Sequence, residues 1–138
     1  MKKLLFLVLT TFLLSFSVFS QEKDMPQIVR MALPSYPTPA IVLNVEETIE
    51  VRVQIDKNGK ILSVESNAKR PYFHTVIKEA LAEWEFEEAN EERRDVVIKI
   101  AFKLLPYDSR SNITSSFKLP DTIEIFAKRA KIIDTPSY

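Results

Sequence analysis

The sequence predicts an α+β fold in which a helix covers one face of a small antiparallel sheet. Three observations favour this class: a pair of alternating segments joined by a turn, an amphipathic helix, and a third alternating segment. The expected order is therefore strand, strand, helix, strand, and the C-terminal sequence allows one further strand or a hairpin.

The first two strands are predicted by periodicity. Apolar residues occupy every second position from 49 to 55, which is the pattern of a strand with one buried face. Gly59, the only glycine of the 138 residues, follows in a turn sequence where a positive φ is easiest for glycine. Residues 61–66 then return as the second strand, so we expect a β-hairpin.

The predicted helix follows this hairpin. Pro71 suits the first turn of a helix, and apolar residues recur after it at three- and four-residue spacing. We expect this apolar stripe to lie on the hairpin. Its members are Phe73, Val76, Ile77, Ala80, Leu81 and Trp84.

Residues 87–94 read as a charged loop, and residues 96–104 alternate again as a third strand. Four prolines in residues 21–47 favour an extended lead-in over residues 21–35. A single helical turn is expected within residues 40–45. The main domain then covers residues 36–105.

The C-terminal extension, residues 106–138, begins with a polar loop over residues 107–116. Residues 122–127 and 131–134 have strand-forming composition, which favours one or two additional strands beside the sheet.

Residues 1–20 have the organisation of a secretory signal peptide: two lysines, an apolar run and small residues up to Ser20. The run of about 16 residues is shorter than the roughly 20 that span a membrane. We predict export with cleavage near Ser20. The alternative is an uncleaved leader that anchors the chain in the inner membrane.

Composition excludes several classes of function. Loss of Lys2 and Lys3 with the leader leaves 17 of 19 basic residues against 19 acidic ones, a net charge of −2. This balance argues against nucleic acid as a partner. The chain has no cysteine, and its single histidine, His74, is expected at the surface. Glycine-rich phosphate loops and serine-nucleophile motifs are also absent, so we predict no enzyme, metal site, cofactor or small-molecule substrate.

Residues 27–105 resemble the C-terminal domain of the TonB energy-transducer family. Four short sequence motifs occur in the order and spacing that this family shows. They are Tyr36-Pro37 with Ala40, the strand and turn Ile55-Asp56-Lys57-Asn58-Gly59-Lys60-Ile61, Ala80 with Trp84-Glu85-Phe86, and Ile100-Ala101-Phe102. The resemblance implies the same fold and a periplasmic domain that docks on outer-membrane transporters.

In that family a short extended segment of the transporter pairs with the last strand of the domain, which is β-augmentation. The corresponding edge here is residues 96–104. Its outward side chains, which the resemblance implies as partner contacts, are Val97, Lys99, Ala101 and Lys103. A homodimer through the same edge is a further expectation.

The lead-in supplies a second set of candidates. Family members carry glutamines on both sides of the proline before Tyr-Pro, whereas Leu33 and Ser35 occupy those positions here. Tyr36 is either a recognition contact or an anchor packed under the sheet. Leu33, Ser35 and Tyr36 are therefore the lead-in contact candidates.

Two hypotheses about function follow. In the first, the chain is a periplasmic TonB-like interaction domain whose tail regulates docking, because residues 122–127 would cover the edge if they paired with residues 96–104. In the second, it is a secreted scaffold module with the same fold and no transporter binding.

Overall fold

The computed structural model describes residues 25–118 and 121–131. The expected signal peptide and residues 132–134 of the tail lie outside these ranges. In chain order the elements are β1 (Ile28–Arg30), α1 (Thr38–Val42), β2 (Glu47–Asp56), β3 (Ile61–Ser66), α2 (Pro71–Leu81), β4 (Glu85–Phe86), β5 (Arg93–Leu105), β6 (Ser115–Lys118) and β7 (Thr122–Lys128).

The main sheet has five strands in the order β3-β2-β5-β7-β6. The α+β class is confirmed, and the C-terminal extension supplies two of the five strands. The sheet is mixed because β7 runs parallel to β5, while the other neighbours are antiparallel. After β5 the chain runs back as β6 at the outer position, and β7 then fills the gap in the direction of β5.

The predicted hairpin is formed by β2 and β3, with Gly59 at a φ of 80° in its turn. The carboxylate of Asp56 accepts hydrogen bonds from the backbone N–H groups of Asn58 and Lys60, both at 2.9 Å. The Gly59 N–H donates to the Asp56 carbonyl at 3.1 Å. These bonds stabilise the tight reversal.

Helix α2 packs its predicted apolar stripe on one face of the sheet. Phe73, Ile77 and Leu81 are fully buried and share one hydrophobic cluster with the inward side chains of β2 and β5. The rings of Phe73 and Phe102 lie 4.7 Å apart. Trp84 is also buried in this core, just after the helix ends.

The short second sheet was not expected. β4, which follows Trp84, pairs antiparallel with β1 in the lead-in. The lead-in is therefore extended, as predicted, and also hydrogen-bonded to the domain. The predicted helical turn is α1, which begins two residues earlier than expected with Pro39 in its first turn.

Arg94, expected in a solvated loop, is instead buried in β5. Its guanidinium donates hydrogen bonds to the backbone carbonyls of Glu87, at 2.6 Å, and Asp56, at 3.3 Å. Such carbonyl contacts replace part of the hydration that a buried charge loses. The side chain thereby connects β5 to the ends of β2 and β4.

Candidate functional site

The outer edge of β5, which the resemblance implies as a docking edge, is covered over half of its length. Residues 99–105 pair with β7, from Lys99 opposite Thr122 to Leu105 opposite Lys128. The Lys99 N–H donates to the Asp121 carbonyl at 2.9 Å. The pairing of residues 122–127 with this strand, which the sequence left open, is therefore present over residues 99–104, and β6 forms the outermost strand on this side.

On the helix-covered face, the β6–β7 hairpin is held by the hydrophobic core. Ile123 and Ile125 are each 4% exposed and belong to the same cluster as the inward residues of β5. Burial of each such side chain contributes about 1.5–3 kcal/mol. The hairpin is thus a packed part of the domain.

On the opposite, open face, the hairpin is held by a set of polar side chains that we call the Glu124 cluster: Glu124, Lys103, Lys118 and Ser116. Lys103 Nζ lies 2.5 Å and Lys118 Nζ 3.0 Å from Glu124 Oε1. Ser116 Oγ donates to Glu124 Oε2 at 2.8 Å. One carboxylate therefore joins β7 to β5 on one side and to β6 on the other.

These contacts favour the charged form of Glu124. The hydrogen bonds from Lys103, Lys118 and Ser116, in that order of importance, lower the pKa of Glu124 to about 2. The carboxylate is consequently ionised at neutral pH. Since hydrogen bonds to charged groups are stronger than neutral ones, the cluster adds an electrostatic contribution to the pairing of β5 with β7.

The structure places the four edge-strand candidates on the same open face but in different surroundings. Val97 is 38% exposed and Lys99 is exposed, so both side chains are accessible. Ala101 is only 4% exposed, and Lys103 is engaged by Glu124. Two of the four candidates are thus in contact with β7 or buried beside it.

The three lead-in candidates also lie in different surroundings. Leu33 is 42% exposed and Ser35 is exposed, whereas Pro34 between them is buried. Tyr36 Oη donates to the carbonyl of Val45 at 2.7 Å. Burial, followed by the nearby Glu46 carboxylate, raises the pKa of the Tyr36 phenol.

Tyr36 is therefore an anchor in this structure. Its ring stands edge-on to Phe102 and Phe73, with centroids 5.4 and 6.3 Å away. A second anchor is the indole of Trp84, whose Nε1 donates to the carbonyl of Ala32 at 2.7 Å. Together these bonds fix the lead-in and leave Leu33 and Ser35 outward.

Sequence reasoning missed two acidic residues that contact β5: Glu124 on its β7 side and Glu46 on its β2 side. Glu124 interrupts the apolar pattern between Ile123 and Ile125, and strand periodicity places it on the face opposite the core. Glu46 Oε1 accepts the backbone N–H of Leu104 at 2.7 Å, which no local pattern indicates. The signal for Glu124 was therefore present, but its partners depend on the parallel pairing.

His74 is half-buried, and its Nδ1 lies 2.8 Å from Ser66 Oγ. Among residues 25–118 and 121–131, His, Asp and Glu side chains nowhere gather in a group of three that could hold a metal ion. Neither helix in the described part of the chain has the length and apolar character needed to cross a membrane.

Comparisons with known proteins give one informative similarity. The chain is 31% identical over 81 residues to Protein TonB of Yersinia enterocolitica, which covers 57% of this chain and 31% of that protein. The chain thus spans about a third of the relative's length. No protein-family profile matches the sequence. The similarity and the mixed α+β fold support a TonB C-terminal-like domain in this chain.

Proposed function

We propose that this chain is a periplasmic TonB-like protein-interaction domain that contributes to TonB-dependent transport by docking outer-membrane transporters. The observation that carries the proposal is the 31% identity to Protein TonB. Export, with removal of residues 1–20, would deliver the domain to the periplasm. An uncleaved leader would instead hold it at the inner membrane. The work of the domain is binding and needs no catalytic group or cofactor.

Docking would proceed by strand addition to β5 after the β6–β7 hairpin moves away. Side chains alternate along β5, so Val97, Lys99, Ala101 and Lys103 would flank an incoming extended segment on the open face. Leu33 and Ser35 are exposed in the lead-in and are the remaining candidate contacts. A homodimer through the same edge would require the same movement of the hairpin.

The hairpin would make docking conditional. If only a fraction of molecules has the hairpin displaced, the apparent Kd is the intrinsic Kd divided by that fraction. The buried Ile123 and Ile125 and the Glu124 cluster both favour the covered state. The tail would therefore lower the affinity for transporters until a partner displaces it.

A secreted scaffold module that binds no transporter is the second candidate. The observation that favours it is the occupied edge: β7 pairs with β5 over seven residues and contributes side chains to the core. A scaffold of this kind would keep the fold and leave β5 permanently covered.

An engineered disulfide distinguishes these candidates, because the natural chain has no cysteine. Leu105 and Lys128 are direct neighbours on β5 and β7 and are not among the candidate contacts, so L105C/K128C would hold the hairpin on β5 when oxidised. Arg52 and Glu65 are neighbours on β2 and β3, so R52C/E65C is a matched control that leaves the hairpin free. Residues 21–138 of each variant would be incubated with outer-membrane extract, oxidised or reduced, and captured transporters identified by mass spectrometry.

We expect the reduced L105C/K128C protein to capture TonB-dependent transporters and the oxidised protein to capture few. The R52C/E65C control should capture them in both states. Equal capture by oxidised and reduced L105C/K128C would exclude docking that needs the hairpin to move away, and would leave residues 93–98 of β5 or another surface as the binding site. Capture of none by any form, while a working TonB control succeeds, would support the scaffold.

A further inference from the structure

The opposite end of the main sheet has a second edge, formed by β3. Among residues 25–118 and 121–131, β3 pairs along its length with β2 alone. Asn67 N–H donates to the Glu50 carbonyl at 3.1 Å, and Glu50 N–H donates to Asn67 Oδ1 at 2.8 Å. Because backbone groups alternate in direction along an antiparallel pair, the N–H and C=O groups of Val64 and Ser66 point away from β2.

A groove runs beside this edge, between β3 and the C-terminal end of α2. Its volume is about 330 Å³, and its apolar lining includes Val64, Ala82 and the buried Trp84. Leu62, at the irregular pairing near the start of β3, is 51% exposed at the same groove. A free strand edge next to an apolar groove is the arrangement that binds extended peptides in β-augmentation.

The groove carries an excess of positive charge. Three cationic side chains line it, Arg30, Lys60 and Lys78, against one carboxylate, Glu85. Glu85 pairs with both Lys60 and Arg30, the latter at 3.2 Å, while Arg30 Nε also donates to the Glu83 carbonyl at 3.2 Å. Without residues 1–20 the chain has a net charge of −2, so this positive patch contrasts with the molecule as a whole.

We propose that the β3 edge and its groove bind an extended acidic segment of a partner protein. The segment would add as a sixth strand beside β3, with an apolar side chain in the groove and carboxylates near Arg30, Lys60 and Lys78. This site is separate from the β5 edge, because β2 and β5 lie between them in the sheet. A second copy of this chain fits less well, since a symmetric pairing would bring two sets of these cations together.

Trp84 makes the proposal measurable, because it is the only tryptophan of the chain and it lines the groove. The probe is a blocked heptapeptide, Thr-Glu-Thr-Val-Thr-Glu-Thr, whose second, fourth and sixth side chains share one face of a strand and so present a valine between two glutamates to the groove. Binding to residues 21–138 would be followed by Trp84 fluorescence and by isothermal calorimetry. The control probe has lysine in place of each glutamate. Two further probes carry N-methyl groups on alternate residues, in the two possible phases.

We expect saturable binding of the acidic probe and binding about tenfold weaker for the lysine probe. K78E should weaken acidic-probe binding by about tenfold, because it reverses one rim charge. K128E is the matched control: Lys128 is also exposed but ends β7, and this substitution should leave the affinity unchanged. One N-methylated probe should lose binding and the other retain it, since only one edge of an added strand faces β3.

Several results would overturn the proposal. One is the absence of a heat and fluorescence signal with the acidic probe. Others are equal binding of the acidic and lysine probes, or equal effects of K78E and K128E. Retention of binding by both N-methylated probes would exclude strand addition. Sedimentation of residues 21–138 as a dimer that S66P dissociates, by removing an outward-facing backbone N–H of β3, would show instead that a second copy occupies the edge.

Discussion

Gly59 lies in the turn between β2 and β3, where two independent constraints meet. Its φ of 80° is in the left-handed region, which disfavours residues with a Cβ atom. A Cβ built on Gly59 would also overlap the backbone carbonyl of Phe86 in β4. The Gly59 carbonyl meanwhile accepts the Phe86 N–H at 2.9 Å. The small residue thus allows the hairpin turn to contact β4 directly.

Replacement G59A should lower the free energy of unfolding by at least about 2 kcal/mol, because backbone strain and the overlap with Phe86 act together. The measurement is the urea midpoint at constant m value. N58A is the matched control: Asn58 is the exposed neighbour in the same turn, and its loss should cost less than about 0.5 kcal/mol. Equal midpoints for the two variants would contradict this account.

For single residues, the sequence predicts conformations that depend on neighbouring residues, and it misses contacts that depend on the pairing of distant segments. The positive φ at Gly59 follows from its place in a turn, and its prediction was confirmed. Tyr36 was left between two roles because its anchoring bond to the Val45 carbonyl forms only when the lead-in folds onto the core. Glu124 was missed because its two lysine partners come from different strands.

The same distinction holds for elements. The β2–β3 hairpin and helix α2 were predicted because periodicity and turn chemistry are contained within each segment. The pairing of β1 with β4 joins segments more than 50 residues apart, and two-residue β4 shows no alternation to detect. The strand β7 was predicted from composition, but its parallel direction depends on where β6 lies.

The attachment of β7 to β5 should depend on pH through Glu124. Because the pKa of Glu124 is lowered, the charged cluster stabilises the pairing fully at pH values above the ordinary carboxyl pKa of 4.5. This stabilisation is lost as the pH falls toward about 2. E124Q removes the charge at every pH. We expect the Lys99 amide, which donates to Asp121, to exchange with solvent several-fold faster in E124Q than in wild type at pH 7.

Near pH 2 this difference between E124Q and wild type should become small, because Glu124 is then about half protonated and most of the contribution of its lowered pKa to stability is lost. The matched control is E65Q, since Glu65 lies exposed on the same open face but at the far end of the sheet. It should leave Lys99 exchange unchanged. A difference between E124Q and wild type that persisted undiminished at pH 2 would assign the effect to packing instead of charge.

At the scale of the molecule, one sheet carries two unlike edges around a shared core. On the β5 side, a hairpin covers the strand with two isoleucines and a carboxylate cluster. On the β3 side, the strand ends the sheet beside a positively charged groove. The same helix, α2, packs beneath the sheet between them. Covering one edge and leaving the other available would give the domain two docking surfaces with different energetic requirements.

This arrangement predicts that, without a docked partner, the C-terminal hairpin unfolds in the same urea transition as the rest of the domain. Ile125 is in the common core, so I125A should destabilise the whole protein by about 2–5 kcal/mol. Trp84 lies in the same core near β3, at the other end of the sheet from β7. The urea transition followed by Trp84 fluorescence and the one followed by far-UV circular dichroism should shift together. I113A, at an exposed position of the loop before β6, should cost less than about 0.5 kcal/mol. I125A could instead leave the Trp84 transition in place while β6 and β7 lose hydrogen-exchange protection. The hairpin would then be a separate folding unit. Its displacement from β5 would cost far less free energy than the packing of its isoleucines indicates.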